Sequence, residues 1–154
     1  MRKVIIFMVL FILMPITGTF AADVDLLSGK LMNVSVVDAP VGGAVRTTSY
    51  LSTDNNSNTG TTIKDKEILW YDFGKPQNVT SMFLERWSNT DYSTVVTFYD
   101  ADLSVIYINQ PTIMGTTTFA STIQSVKYVG IHSTRGSGLD FNVDIFRIYG
   151  SESL

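Results

Sequence analysis

Three polar segments of the chain concentrate the side chains that can do chemistry. The first, Asp54-Asn55-Asn56-Ser57-Asn58-Thr59-Gly60-Thr61-Thr62, is a run of oxygen donors. Asp54, Asn56 and Asn58 stand at positions one, three and five of an EF-hand-like spacing, with Asp65 at position twelve. The pattern fails where Thr59 replaces the obligatory glycine, and no helical periodicity flanks the loop, so an EF-hand is rejected. The plain reading of the same residues is a solvated loop in which Asn and Asp bond their own backbone.

The second segment holds Arg86, Trp87, Asn89, Asp91 and Tyr92, and the third His132, Ser133, Thr134 and Arg135. A ring face beside planar donors suits saccharides: the apolar C–H face of a pyranose stacks on the ring while Arg, Asn and Asp bond the hydroxyls. Simpler roles compete. Trp87 can close the end of a core, Arg86 can be solvated at a strand edge, and His132 can be a satisfied strand-end histidine. Trp70, just before Asp72-Phe73-Gly74, reads as core.

No catalytic set emerges. A Ser/His/Asp arrangement would have to use His132, the sole histidine, and there is no Gly-x-Ser-x-Gly elbow. Neither Thr59-Gly60-Thr61 nor Thr134-Arg135-Gly136 has phosphate-loop spacing. Acid pairs fit for glycoside hydrolysis occur in any chain with 14 carboxylates. With no cysteine, disulfides, thiolate metal sites and thiol nucleophiles are excluded. The 11 basic residues against 14 acidic give a formal charge of −3, which disfavours nucleic acid as a partner.

The elements that must position these segments read as strands. Short alternating runs rich in Val, Ile, Thr, Tyr and Phe recur between turn residues, and no sustained helical spacing appears. The expected strands are Leu31–Val37, Val45–Leu51, Glu67–Phe73, Val79–Arg86, Thr94–Tyr99, Leu103–Asn109, Thr116–Ala120, Val126–His132 and Leu139–Tyr149. Val79–Arg86 sets Thr80, Met82 and Leu84 on one face and Val79, Ser81, Phe83 and Glu85 on the other. Tyr99-Asp100-Ala101-Asp102-Leu103 reads as a hairpin turn. In the last strand the apolar alternation changes phase between Ile145 and Phe146, which predicts a bulge or a change of packing partner. Strands of this number and spacing argue an all-β antiparallel sandwich.

Ahead of them, Arg2 and Lys3 precede the apolar run Val4–Met14, which Pro15 ends, and Thr17-Gly18-Thr19-Phe20-Ala21-Ala22 follows. This is the order of a secretory signal peptide over residues 1–22, cut after Ala21 or Ala22. The run is short of the ~20 residues that span a membrane. The expected product is residues 23–154 as one domain with no membrane span, the alternative being an uncleaved anchor. An exported chain without cysteine fits a bacterial source, and the product is expected to be secreted, extracellular or periplasmic.

Leu26-Leu27-Ser28-Gly29-Lys30, then Leu69-Trp70-Tyr71-Asp72-Phe73-Gly74-Lys75 with Val79 and Met82-Phe83-Leu84, then Val126-Lys127-Tyr128-Val129-Gly130-Ile131 with Val143-Asp144-Ile145-Phe146-Arg147-Ile148-Tyr149-Gly150, follow one another across residues 26–150. In order and spacing this set resembles the galactose-binding-like β-sandwich (jelly roll) of discoidin and coagulation-factor C-type domains, shared by many bacterial carbohydrate-binding modules. The stretch Asn89–Ile113 departs from the family pattern: it is short and lacks the usual S-x-D-G-x-x-W hairpin.

The resemblance implies a structural Ca²⁺ held by backbone and side-chain oxygens. Leu51, Asp54, Asn56 and Thr59 match that loop, and Asp144 the acidic residue of the closing strand. It also implies that ligand loops gather at one end of the sandwich. The ligand residues expected there are Arg86, Trp87, Asn89, Tyr92, His132 and Arg135. The resulting expectation is a secreted, non-catalytic module binding carbohydrate, with galactose-type sugars among the candidates. The competing expectations are an adhesion module for protein or lipid surfaces, using tips such as Met114 and Trp87, and a small secreted glycoside hydrolase.

Overall fold

A computed structural model of the chain describes residues 22–36, 44–64, 66–86, 94–111, 114–134 and 140–152. The signal peptide expected over residues 1–22 lies outside them, Ala22 excepted. So do Asp65, Trp87, Asn89, Asp91, Tyr92 and Arg135.

Among the described residues there are nine strands: β1 (Val24–Asp25), β2 (Met32–Val36), β3 (Val45–Ser49), β4 (Thr61–Ile63), β5 (Glu67–Arg86), β6 (Thr94–Tyr99), β7 (Val105–Asn109), β8 (Gly115–Ser133) and β9 (Phe141–Glu152). Every pairing is antiparallel. No helix occurs among the described residues, and so none long and apolar enough to cross a membrane.

Two long strands make the sandwich by serving both layers. Residues 67–72 of β5 pair with β2 and with residues 128–132 of β8, giving a first layer in the order β3-β2-β5-β8-β6-β7. Residues 77–86 of β5 pair with β9 and with residues 115–126 of β8, and β1 and β4 extend this second layer from β9.

The corner between layers lies at Asp72-Phe73-Gly74-Lys75, where the β5–β8 register shifts between Asp72 and Gln77. Gly74 turns it with φ of 75°, and its N–H donates to Asp72 Oδ1 at 2.7 Å. Lys127 then clamps the corner, pairing with Asp72 and donating to the Gly74 carbonyl at 2.7 Å. Across β8, Ser125 takes φ of 59° at the matching bend. The sequence expectation of separate strands at 67–73 and 79–86, and at 116–120 and 126–132, is corrected accordingly. Gly-Lys-Pro and Ser-Thr read as breaks, yet a register shift with one left-handed residue bends a strand without ending it.

The inner faces form one core. Val34, Leu69, Met82, Leu84, Val96, Phe98, Val129, Ile131, Phe146 and Ile148 are all fully or almost fully buried. Met82 and Leu84 share a face as expected. Val79 is buried with them rather than opposite because the register shifts between Val79 and Ser81. The bulge expected in β9 falls between its pairings with Glu85 and Arg86, so Val143, Asp144, Ile145 and Phe146 are buried in succession. Near the end of β9, Gly150 stands where a Cβ would collide with the Asn78 carbonyl.

The strands β1 and β4 were not expected from the sequence; two and three residues are too few to show a period. The turn after β6 is as expected: Asp100 Oδ1 accepts the Asp102 and Ser104 N–H groups, both at 2.9 Å. Leu103 belongs to this turn, with φ of 64°, so β7 starts two residues later than expected.

Candidate functional site

The register brings the described ends of the two expected ligand segments to one end of the sandwich. Thr94 pairs with Ser133 and Val95 with His132, and Ile68 faces His132 from the other side. Arg86 pairs with Val143, two residues into β9. The described ends that flank residues 87–93 and 135–139 therefore meet along one rim, where β5 and β8 finish and β6 and β9 begin. Trp87, Asn89, Tyr92 and Arg135 belong to those connections and lie outside the described residues.

Arg86 and His132 sit under that rim rather than on it. Arg86 is 4% exposed, so it is not the solvated edge residue of the plain reading. Its N–H donates to Met114 Sδ at 3.2 Å. Met114 is half-buried on that contact and does not present the exposed apolar tip expected of an adhesion loop. His132 is half-buried, and its Nδ1 is buried without a hydrogen-bond partner among the described residues. Burial holds its pKa below the ordinary histidine value, because a buried imidazolium loses hydration. Trp70 is core-facing in part, as expected, and is 9% exposed with its indole N–H donating to Ser35 Oγ at 2.8 Å.

Sequence reasoning missed the brace of the rim. Glu67, almost fully buried at the head of β5, pairs with Arg46 of β3 through two contacts of 2.6 and 3.0 Å. It also accepts the Lys64 N–H at 2.9 Å, tying the end of β4 to the start of β5. The available signal was one acid ahead of the apolar run Ile68-Leu69-Trp70, a place where a buried charge requires a partner.

The loop between β3 and β4 is the second candidate. Thr59 Oγ1 stands 2.8 Å from Asp54 Oδ2, 2.9 Å from the Asn56 carbonyl and 3.5 Å from the Leu51 carbonyl. One hydroxyl proton faces three acceptors, of which the Asn56 carbonyl also accepts the Thr59 N–H at 3.1 Å. Two Asx turns, from the Asn56 N–H to Asp54 Oδ1 and from the Asn58 N–H to Asn56 Oδ1, shape the backbone around it. They are also what a plain solvated loop provides.

Asp144 adjoins this loop through Gly60, where a Cβ would lie 2.6 Å from Asp144 Oδ1. The loop is bolted to β9 by the Ser52 hydroxyl on the Val143 carbonyl and the Phe146 N–H on the Ser52 carbonyl, both at 2.7 Å. Burial raises the Asp144 pKa; the Asn142 amide opposes the shift and the Glu85 charge adds to it.

No group of three or more His, Asp or Glu side chains among the described residues is arranged to hold a metal. A cation here would rest on two carboxylates, a hydroxyl and carbonyls. That set matches the preference of a hard ion for six to eight oxygens with some negative charge. By donor type these residues suit Ca²⁺.

A separate cavity of about 310 Å³ lies beside the corner, away from the rim, lined by Asp25, Leu26, Lys30, Tyr71, Phe73 and Gln77 among others. No expected site residue lines it.

No protein-family model matches the chain, and no curated protein does. Solved structures do. A fucose-binding module of Streptococcus pneumoniae superposes with a TM-score of 0.62 at 12% identity, over 84% of this chain and 96% of the module. Chitosan-binding module 1 from the chitosanase/glucanase of Paenibacillus sp. IK-5 gives 0.58 at 18% identity, over 82% and 99%. The lectin domain of lectinolysin, in complex with Lewis B antigen, gives 0.56 at 17% identity, over 83% and 97%. The chain therefore has the discoidin, or galactose-binding-like, β-sandwich fold that these carbohydrate-binding modules and lectins share.

Proposed function

We propose that this chain is an exported, non-catalytic glycan-binding module. What supports the reading is that the described strand ends flanking residues 87–93 and 135–139 meet along one rim, on a fold whose neighbours include a fucose-binding module, a chitosan-binding module and a lectin domain bound to Lewis B antigen. In this reading the ring of Trp87 or Tyr92 takes the C–H face of a pyranose, and Asn89 and Arg135 bond its hydroxyls. Arg86 and His132, lying beneath, hold the rim in place. The sugar is of galactose or fucose type, and an array separates the two.

The loop from Leu51 to Thr59 braces this module with Ca²⁺. Leu51 and Asn56 would offer carbonyls, Thr59 its hydroxyl, and Asp54 and Asp144 carboxylates. When bound, the ion would supply positive charge to the Asp54 and Asp144 carboxylates. Residues 1–22 act as the signal peptide, so the exported form begins at Ala22 or Asp23.

A single rim buries little of a sugar, so each site binds weakly and useful avidity needs several copies. A glycan array read with and without EDTA tests the reading. Binding to pyranose glycans is expected, weakened by Trp87→Ala at unchanged melting temperature. If Trp87→Ala binds every glycan as the parent does, the sugar site is elsewhere. Retention on liposomes or matrix protein without any glycan response would favour the adhesion reading.

A further inference from the structure

The two layers end together on one side of the sandwich, and the edge segments on that side carry no charged residue. β7 is the outermost strand of the first layer. Residues 115–123 of β8 form the outer edge of the second, since β6 pairs only with residues 128–133 of β8. The two edges are stacked on each other: the Tyr107 ring meets Phe119 at 5.2 Å, and both meet Phe98, at 6.1 and 5.5 Å. From Leu103 to Val126, the whole span containing both edges, the chain carries no Asp, Glu, Lys or Arg.

Surfaces of folded chains are normally guarded by charge, and sheet edges most of all. The opposite edge of the first layer shows the ordinary device: the bulged residue of β3 is Arg46, ion-paired with Glu67. The bulged residue of β7 is Ile106. Val105 and Ile108 are 52% and 58% exposed, and Ile106 and Tyr107 are exposed beside them. On β8, Thr116, Thr118, Ala120 and Ser121 are exposed and neutral.

We infer that this flank, made by β7 and residues 115–123 of β8, is the self-association surface of the chain, and that its occupant is a second copy related by a two-fold axis. The charge balance selects the copy. The chain is net acidic, at −3, so two copies repel wherever their charged surfaces face. The neutral flank is where they meet without repulsion. A partner of opposite charge has no group here to steer it. A two-fold contact uses the same patch on both copies and closes at two. The bulge at Ile106 interrupts the ladder, so the copies join by side-chain packing rather than by continuing one sheet. Two short edges offer less than the ~800 Å² per partner of a standard interface, which makes the dimer weak and concentration-dependent.

Sedimentation velocity of the purified chain, without sugar, tests this independently of the glycan reading. The mean mass is expected to climb from monomer to dimer over an approximately hundredfold rise in concentration, and no further. Added salt is expected to leave the dimer intact, as the contact is apolar. Ile108→Lys and, on the other edge, Thr118→Lys each place charge against its own copy and are expected to hold the chain monomeric at unchanged melting temperature. Both positions are exposed, so at least one variant keeps the fold. A parent chain that stays monomeric throughout, open-ended oligomers, or folded Lys variants that dimerise like the parent would each overturn the inference.

Discussion

Gly60 and Asp144 stand so close that a Cβ on residue 60 would lie 2.6 Å from Asp144 Oδ1 and closer still to the Asn142 amide. Both obstacles are side-chain ends, which can swing aside. Gly60→Ala is therefore expected to cost only about 1–3 kcal/mol, the ordinary range for overpacking, while displacing the carboxylate from the loop. Gly150 differs, because its Cβ would meet the backbone carbonyl of Asn78, which cannot swing. Gly150→Ala is expected to cost more than Gly60→Ala in urea unfolding. Equal costs would mean that β5 and β9 yield at this point.

Asp144 itself gives opposite signs with and without Ca²⁺. Burial first, and the Glu85 charge second, raise its folded pKa above the unfolded value. The folded state thus holds the proton more tightly, and ionisation above the folded pKa lowers stability. In EDTA, Asp144→Asn is expected to melt at or above the parent at neutral pH. In Ca²⁺ the parent is expected to gain stability and the variant to gain little, since a ligand bound only by the folded state stabilises it. The gain should fade as pH falls through the raised Asp144 pKa, where protons compete with the ion. Equal Ca²⁺ responses in the two proteins would remove Asp144 from the site.

The sandwich was legible in the sequence because residues 82–86 of β5 and 146–150 of β9 keep a period of two that burial enforces. The corners were not legible. Gly74 and Ser125 bend β5 and β8 without stopping them, and a left-handed residue inside a strand reads in sequence as a turn. The loop at 54–62 stood out by its run of Asp, Asn and Thr, but the Leu51 and Asn56 carbonyls that face Thr59 Oγ1 leave no trace in residue type. The Arg46–Glu67 brace joins positions 21 residues apart, and no local pattern connects them.

His132 sets a second pH dependence, with the sign of a buried neutral imidazole. Its folded pKa lies below the ordinary value because of burial. As pH falls through about 6.5, the unfolded chain takes up a proton that the folded chain refuses, so stability declines. It is the sole histidine, so the part of the slope that its replacement removes belongs to it. Melting followed from pH 7.5 down to about 5.5 should show the decline in the parent, and His132→Gln should flatten it. An unchanged slope in the variant would assign the effect elsewhere.

Leu103 carries backbone strain that a substitution can relieve. It sits at φ of 64° in the turn between β6 and β7, its N–H donating to the Asp100 carbonyl at 3.3 Å. A left-handed conformation costs an ordinary L-residue about 1–2 kcal/mol, and far less for Asn or Gly. The side chain is 44% exposed, so replacing it forfeits little burial. Asn retains a side chain that bonds locally and loses less backbone entropy on folding than Gly, which gives back about 0.5–1 kcal/mol. Leu103→Asn is therefore expected to stabilise the chain by about 0.5–1 kcal/mol, and Leu103→Gly by less. A loss of stability in both variants, read by urea unfolding, would show that Leu103 contributes packing that outweighs the strain of its turn.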